Sequence, residues 1–165
     1  MMGEKEMSFI GFCVDKKQEN IVEQELKKST LNPAIAINIK SIDNIKNVKF
    51  ETVILNHNVK KLQEKEEFKK IIANAKYILV NSDEVDLSIL QDLNAISITY
   101  GFNGKATVTM SSIEDEELIL CLQRNVKTLQ NKIIEPQEIR IDMQQYAMTD
   151  KYLMICVYMT KLLYE

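Results

Sequence analysis

The sequence predicts an α/β fold: a Rossmann-like, mostly parallel sheet with helices on both faces, followed by an antiparallel β meander and a C-terminal helix. Three observations carry this. Short apolar runs alternate with amphipathic stretches up to about residue 100. From residue 106 the pattern changes to alternation with a period of two. The chain has 165 residues, 45% of them hydrophobic, with 4 Gly and 2 Pro. That is the size of one domain, read as residues 1–165. Such a chain buries roughly 70% of its unfolded surface and needs neither disulfide nor metal to fold.

Residues 8–14 form the first apolar run and read as strand one. Residues 16–29 carry Ile21, Val22, Glu25 and Leu26 at helical spacing. Asn32-Pro33 breaks the chain, residues 34–39 read as strand two, and residues 41–48 as a short helix capped by Ser41. Residues 50–55 are strand three. Residues 59–75 read as one helix, with Leu62, Phe68, Ile71 and Ile72 inward and Glu66 to Lys70 as an i,i+4 pair outside. Residues 77–80 are strand four, residues 86–93 a short helix and residues 95–100 strand five. This alternation implies parallel strands, right-handed crossovers and helices over both faces. Residues 106–113, 117–124 and 134–141 read as three antiparallel strands, turning at Asp115-Glu116 and Gln130-Asn131-Lys132. The last helix spans residues 149–163. With Leu153, Val157 and Thr160 facing the sheet, Met154, Tyr158 and Met159 are expected to point elsewhere, so homodimerisation through this helix is expected.

Charge and cysteine usage exclude several classes. The net charge is −3, with 21 basic and 24 acidic residues mixed along the chain, so no phosphate-tracking basic stripe exists and no nucleic acid is expected as partner. The longest apolar run, residues 152–159, is far short of the about 20 residues a membrane span needs. Residues 7–14 lack the cleavage site of a signal peptide. Cys13, Cys121 and Cys156 are isolated and odd in number, which reads as reduced thiols in a cytoplasmic protein.

Ligands of an open parallel sheet bind beyond the carboxyl ends of its strands. Four loops fall there: Asp15-Lys16-Lys17-Gln18, Asn56-His57-Asn58, Asn81-Ser82-Asp83-Glu84 and Gly101-Phe102-Asn103-Gly104. Asn56, His57, Asn81 and Asp83 are the candidate ligand-binding residues, expected at one edge of the sheet. Turn chemistry alone also accounts for Asn, Asp and Gly in such loops. His57 is the lone histidine, which removes His-rich zinc sites, and no G-x-S-x-G accompanies it. Acidic residues 114–117 lack EF-hand spacing and read as a solvated turn. Arg124 and Arg140 read as partners of a phosphate or, in a meander, of a cross-strand carboxylate. Neither G-x-x-x-x-G-K-[ST] nor G-x-G-x-x-G is present, so no backbone cradle for phosphates is encoded and no cofactor or metal is expected.

In their order, these segments resemble the central, ATP-binding domain of the Mur ligases of peptidoglycan synthesis. Val53-Ile54-Leu55-Asn56, followed by His57, is similar to that family's strand ending in Asn. Residues 72–76 sit where the family has its next helix, and residues 77–83 resemble its strand ending in N-x-D. Ile98-Thr99-Tyr100-Gly101 resembles its T-[FY]-G strand end, and residues 106–113 its A-D-V-x-A-x-x-I strand. The chain departs from the family in lacking the Gly-rich loop, a counterpart of the magnesium-binding Glu and the Gly-x-His-Asn lead-in to the last helix. Tyr146-Ala147-Met148-Thr149-Asp150 stands in that last position. Without the amide cradle and metal ligands, the charge stabilisation of phosphoryl transfer is lost. The resemblance therefore implies shared fold and ancestry without enzyme activity: a binding or regulatory module for a nucleotide or cell-wall precursor. The alternatives are a structural or protein-interaction module that has lost all ligand binding, or an enzyme using Asp83 and His57 as an acid–base pair.

Overall fold

A computed structural model of the chain describes residues 7–57 and 59–165. Its elements in chain order are β1 (Phe9–Cys13), α1 (Glu19–Ser29), β2 (Ala34–Ala36), β3 (Phe50–Leu55), α2 (Lys60–Gln63), α3 (Glu66–Asn74), β4 (Tyr77–Asn81), β5 (Ile96–Gly101), β6 (Val108–Glu114), β7 (Glu117–Leu122), β8 (Val126–Lys127), β9 (Ile133–Ile134), β10 (Gln137–Asp142) and α4 (Lys151–Tyr164). Eight strands form one sheet in the order β10-β7-β6-β5-β4-β3-β1-β2, while β8 and β9 make a separate two-stranded ribbon. Pairing is parallel from β2 through to β6 and antiparallel across β6, β7 and β10. This is the α/β architecture the residue pattern predicts.

Burial follows the pleat. In β4, Tyr77 and Leu79 enter one core, and Ile78 and Val80 enter the other. The first core continues through Ile10, Phe12, Ile54, Ile98 and Tyr100 to α1 and α4. The second joins Cys13, Val53 and Leu55 to Phe68, Ile71 and Ile72 of α3. Helices thus cover both faces. The strand order reverses direction at β1, from which β2 lies to one side and β3 to the other. With crossovers of one hand, that reversal requires α1 and α3 to lie on opposite faces.

Several elements differ from the sequence reading. The helix expected over residues 59–75 is two helices, because Lys65 is extended (φ −85°, ψ 128°). At about 100° per residue, one continuous helix would hold Leu62 some 120° off the stripe of Phe68, Ile71 and Ile72. The break lets Leu62 bury as well. Glu66 pairs with Lys69 at 3.1 Å, not with Lys70. Residues 41–48 hold only a 3-10 turn, Ile42–Asn44, and Ser41 does not cap it with its side chain. The Ser41 hydroxyl accepts from the Asn38 N–H and donates to the Ala36 carbonyl, closing the end of β2. The helix expected at residues 86–93 is the 3-10 turn Leu87–Leu90, capped by Asp86. The strand expected at residues 134–141 is split: Pro136, which has no N–H to offer a ladder, separates β9 from β10.

The last helix also departs from expectation. Asp150 caps it by accepting from the Leu153 N–H at 3.2 Å. Met154 and Met159 are buried, and Tyr158 is half-buried. The helix packs on α1 and β5 and reaches the β8–β9 ribbon, where the Leu129 N–H donates to the Leu163 carbonyl. Its wide apolar surface is therefore covered within the chain, which removes the reason for expecting a dimer there. Among the described residues no helix is long and apolar enough to cross a membrane.

Candidate functional site: two crevices at the strand ends

Adjacent parallel pairing of β3 with β4 places their carboxyl ends side by side, so Asn56, His57, Asn81 and Asp83 share one edge of the sheet. They do not form one site. Asn56 and Asn81 are buried, 8% and 1% exposed. The Asn81 amide donates to the Asn56 carbonyl at 3.2 Å, and the Tyr100 hydroxyl donates to Asn56 Oδ1 at 2.7 Å. Asn81 Oδ1 in turn accepts from the Asp83 N–H at 3.1 Å. Both side chains are absorbed in tying the ends of β3, β4 and β5 together. Burial pushes the Tyr100 phenol well above its ordinary range, so it serves as a fixed donor.

Asp83 is exposed but fully engaged. Its carboxylate accepts from the Phe102 N–H at 2.7 Å, the Asn103 amide at 2.9 Å and the Tyr152 hydroxyl at 2.9 Å. Partial desolvation raises its pKa, but these donors outweigh it and hold the carboxyl below the usual range. Tyr152 is pushed up to about 12, first by desolvation and then by its bond to Asp83. Its ring meets Phe102 edge-on, with centroids 5.1 Å apart. Gly101 completes the closure. Its φ is +159°, within the extended range, yet a Cβ there would lie 2.7 Å from Asp83 Oδ2. A polar latch of Asp83, Asn103 and Tyr152 thus joins the loops after β4 and β5 and ties α4 to the sheet edge, and beside it lies a pocket of about 470 Å³ lined by Ser82, Asp83, Thr99, Asn103 and Lys105 among others.

A second, open crevice lies between β1 and β3, where the strand order reverses and the helices on the two faces diverge. It has a volume of about 540 Å³, within the range of small-molecule sites. Its walls come from the ends of three strands and the start of α2: Cys13 and Val14, residues 37–39, His57, and residues 59–62. The walls are mainly apolar, through Val14, Ile37, Ile39, Val59 and Leu62, while His57, Lys60 and Lys61 are exposed polar groups of the lining. Asn38 is fixed from both sides, donating to Glu19 Oε1 at 3.0 Å and accepting from the Ser41 N–H at 2.9 Å. The Cys13 thiol is pushed up, by burial first and by the negative charge of Glu19 second, so it is a neutral wall and not a nucleophile. Gly11 determines how this wall sits: a Cβ on it would lie 2.5 Å from Ile37 Cδ1 and 2.8 Å from Phe50 Cδ1.

Of the four candidate residues, His57 lines the β1/β3 crevice and Asp83 lines the pocket beside the latch, while Asn56 and Asn81 line neither. His57 and Asp83 make no hydrogen bond with each other, so the acid–base pair is not assembled. Asn58 lies outside the described residues. Sequence reasoning missed the contributions of β2 and α2 to the cavity. A glycine inside an apolar strand, Gly11, was the available signal, since it marks a close approach of neighbours. Arg140 pairs across the strands with Glu117 at 3.7 Å and, more closely, with Glu138 of its own strand at 3.0 Å. Arg124 instead donates to the Lys105 carbonyl and the Thr107 hydroxyl. Among the described residues no group of three His, Cys, Asp or Glu side chains is arranged to hold a metal ion. The sequence matches no protein-family model, and no curated protein matches it.

Proposed function

We propose that this protein is a non-catalytic binding or regulatory module whose ligand occupies the β1/β3 crevice. One observation carries the reading: a cavity of about 540 Å³ opens where the strand order reverses, with apolar walls and His57, Lys60 and Lys61 among its lining residues. Such a lining suits a small ligand with an apolar ring and an anionic group. A nucleotide or a nucleotide-linked cell-wall precursor has both parts, in keeping with the resemblance to the Mur ligase central domain. Catalysis finds little support. The chain encodes no Gly-rich phosphate cradle, Cys13 is held protonated by burial, and Asp83 is occupied by three donors.

A second reading, a structural or interaction module without a ligand, is favoured by the mutual hydrogen bonding that engages Asp83, Asn103 and Tyr152 after β4 and β5. Thermal unfolding separates the two readings. Millimolar ADP, UDP or a UDP-muramyl peptide should raise the midpoint of the wild type, because a ligand bound only by the native state stabilises it. Lys61→Glu and Ile39→Glu, both at exposed lining positions, should abolish the rise. No rise with any of these compounds would overturn the binding reading in favour of the second.

A further inference from the structure

We propose that β10 is a self-pairing edge through which two copies of this chain join their sheets about a two-fold axis at Ile139. The two ends of the eight-stranded sheet differ. At one end, β2 has three residues and follows Pro33, a short edge that offers little to an incoming strand. At the other, β10 has six residues with alternating burial: Ile139 and Ile141 are buried, and Glu138, Arg140 and Asp142 are exposed.

The direction of the open backbone groups follows from two flanking hydrogen bonds. The Met143 N–H donates to the Glu116 carbonyl at 3.0 Å, and the Gln123 N–H donates to the Thr107 carbonyl at 2.8 Å. In the antiparallel registers of β10 with β7 and of β6 with β7, these bonds put the N–H and C=O of Ile139 and Ile141 toward β7. Those of Glu138 and Arg140 then face outward. Among the described residues, no loop or turn backbone bonds to either.

Charge selects the register in which a second copy fits. An axis through Arg140 would oppose Arg140 to itself and Glu138 to Asp142, all like-charged. An axis through Ile141 would oppose Arg140 to Asp142 but carry the strand into the 3-10 turn Met143–Gln145, leaving little to pair. An axis through Ile139 opposes Glu138 to the partner's Arg140, and Arg140 to the partner's Glu138, as hydrogen-bonded pairs. It also sets Ile139 against its own copy on the buried face. Ile139 already borders a groove of about 240 Å³ with Ile134, Tyr158 and Leu162, so the second copy extends an apolar floor. Opposite charges, apolar contact and open backbone groups coincide in this one register.

Sedimentation equilibrium at high micromolar concentration tests the proposal. The wild type should run at twice the 19.1 kDa of the chain. Arg140→Pro deletes an outward N–H and leaves the bonds to β7 intact. It should weaken dimerisation about tenfold or more, since two symmetry-related ladder bonds are lost. Arg140→Glu should weaken it as well, and the double variant E138R/R140E should restore it by re-forming the opposed charges. A monomeric wild type overturns the proposal. So does a dimer that none of the variants weakens, or an R140E dimer loss that E138R fails to rescue. Circular dichroism checks each fold, and should Arg140→Pro unfold, the two charge variants decide.

Discussion

At the β4/β5 end of the strand edge, polar side chains meet and satisfy one another beside a pocket of about 470 Å³. At the β1/β3 end, the loops carry the same kinds of residue, and the crevice of about 540 Å³ keeps His57, Lys60 and Lys61 among its exposed lining. Composition does not separate the two: Asn56-His57 and Asn81-Ser82-Asp83 look alike in the sequence. Topology does. Between β4 and β5 the chain keeps moving in one direction across the sheet, so the loop after β5 folds back over the end of β4. Phe102 and Asn103 reach Asp83 as a result. Between β1 and β3 the direction reverses, and the connections leave toward opposite faces. The comparison teaches that polar groups at a strand end are consumed where a neighbouring loop is placed to meet them.

The largest expected effect lies in the hydrogen bonds that join the ends of β3 and β4. Asn81→Leu strands the buried Asn56 carbonyl and removes the acceptor of the part-buried Asp83 N–H, and should destabilise the protein by about 1–3 kcal/mol, read by chemical denaturation. A loss below about 0.5 kcal/mol would mean that these bonds do not hold the strand ends. Gly11→Ala forces Ile37 and Phe50 to shift and should cost about 1–3 kcal/mol by overpacking. Because Ile37 lines the open crevice, the same variant should change ligand response there while leaving the latch at Asp83 intact.

A smaller effect is the pH dependence of the latch. The folded-state pKa of Asp83 lies below the unfolded value of about 3.9, so its stabilisation is present above that value and lost as pH falls through the folded pKa. Asp83→Asn should flatten this acid limb in a series of unfolding midpoints, and an unchanged limb would assign it to other carboxylates. The smallest effect is Lys61→Glu. At an exposed position it should alter stability by no more than about 0.5 kcal/mol. Its loss of ligand response would then report on the open crevice alone.

Much of the fold was legible. Strand β3 runs over the six residues its apolar run marks, and parallel pairing of β3 with β4 follows from the β-α-β alternation. The break at Lys65 was not legible, because burial of Leu62 is decided by tertiary packing and not by helical spacing. Nor was the covering of Met154 and Met159. The sequence marks an all-round apolar helix, but α1 and the β8–β9 ribbon, whose packing on it comes from distant residues, decide whether it is interior or interface. For the candidate site, the strand-end rule placed Asn56, His57, Asn81 and Asp83 along one edge of the sheet, and the structure puts His57 and Asp83 in different pockets of that edge. The positions of Asn81 and Asp83 were readable, but their partners Tyr100, Phe102, Asn103 and Tyr152 were not.

The two cores have a consequence for the order in which the protein takes shape during synthesis. The core beneath α2 and α3 draws its buried residues from 13–85, all before β5 and the meander. The core on the opposite face draws on α4, whose Leu153, Val157 and Leu163 share one buried cluster with Tyr77, Leu79 and Ile98 across a long sequence separation. A ribosome-bound chain can therefore settle one side of its sheet early while the other side stays bare until α4 emerges. The bare side is the one whose aromatic and aliphatic surface would bind a chaperone. A stalled chain ending before Lys151 should be captured by one, and release should follow once Tyr164 has left the tunnel.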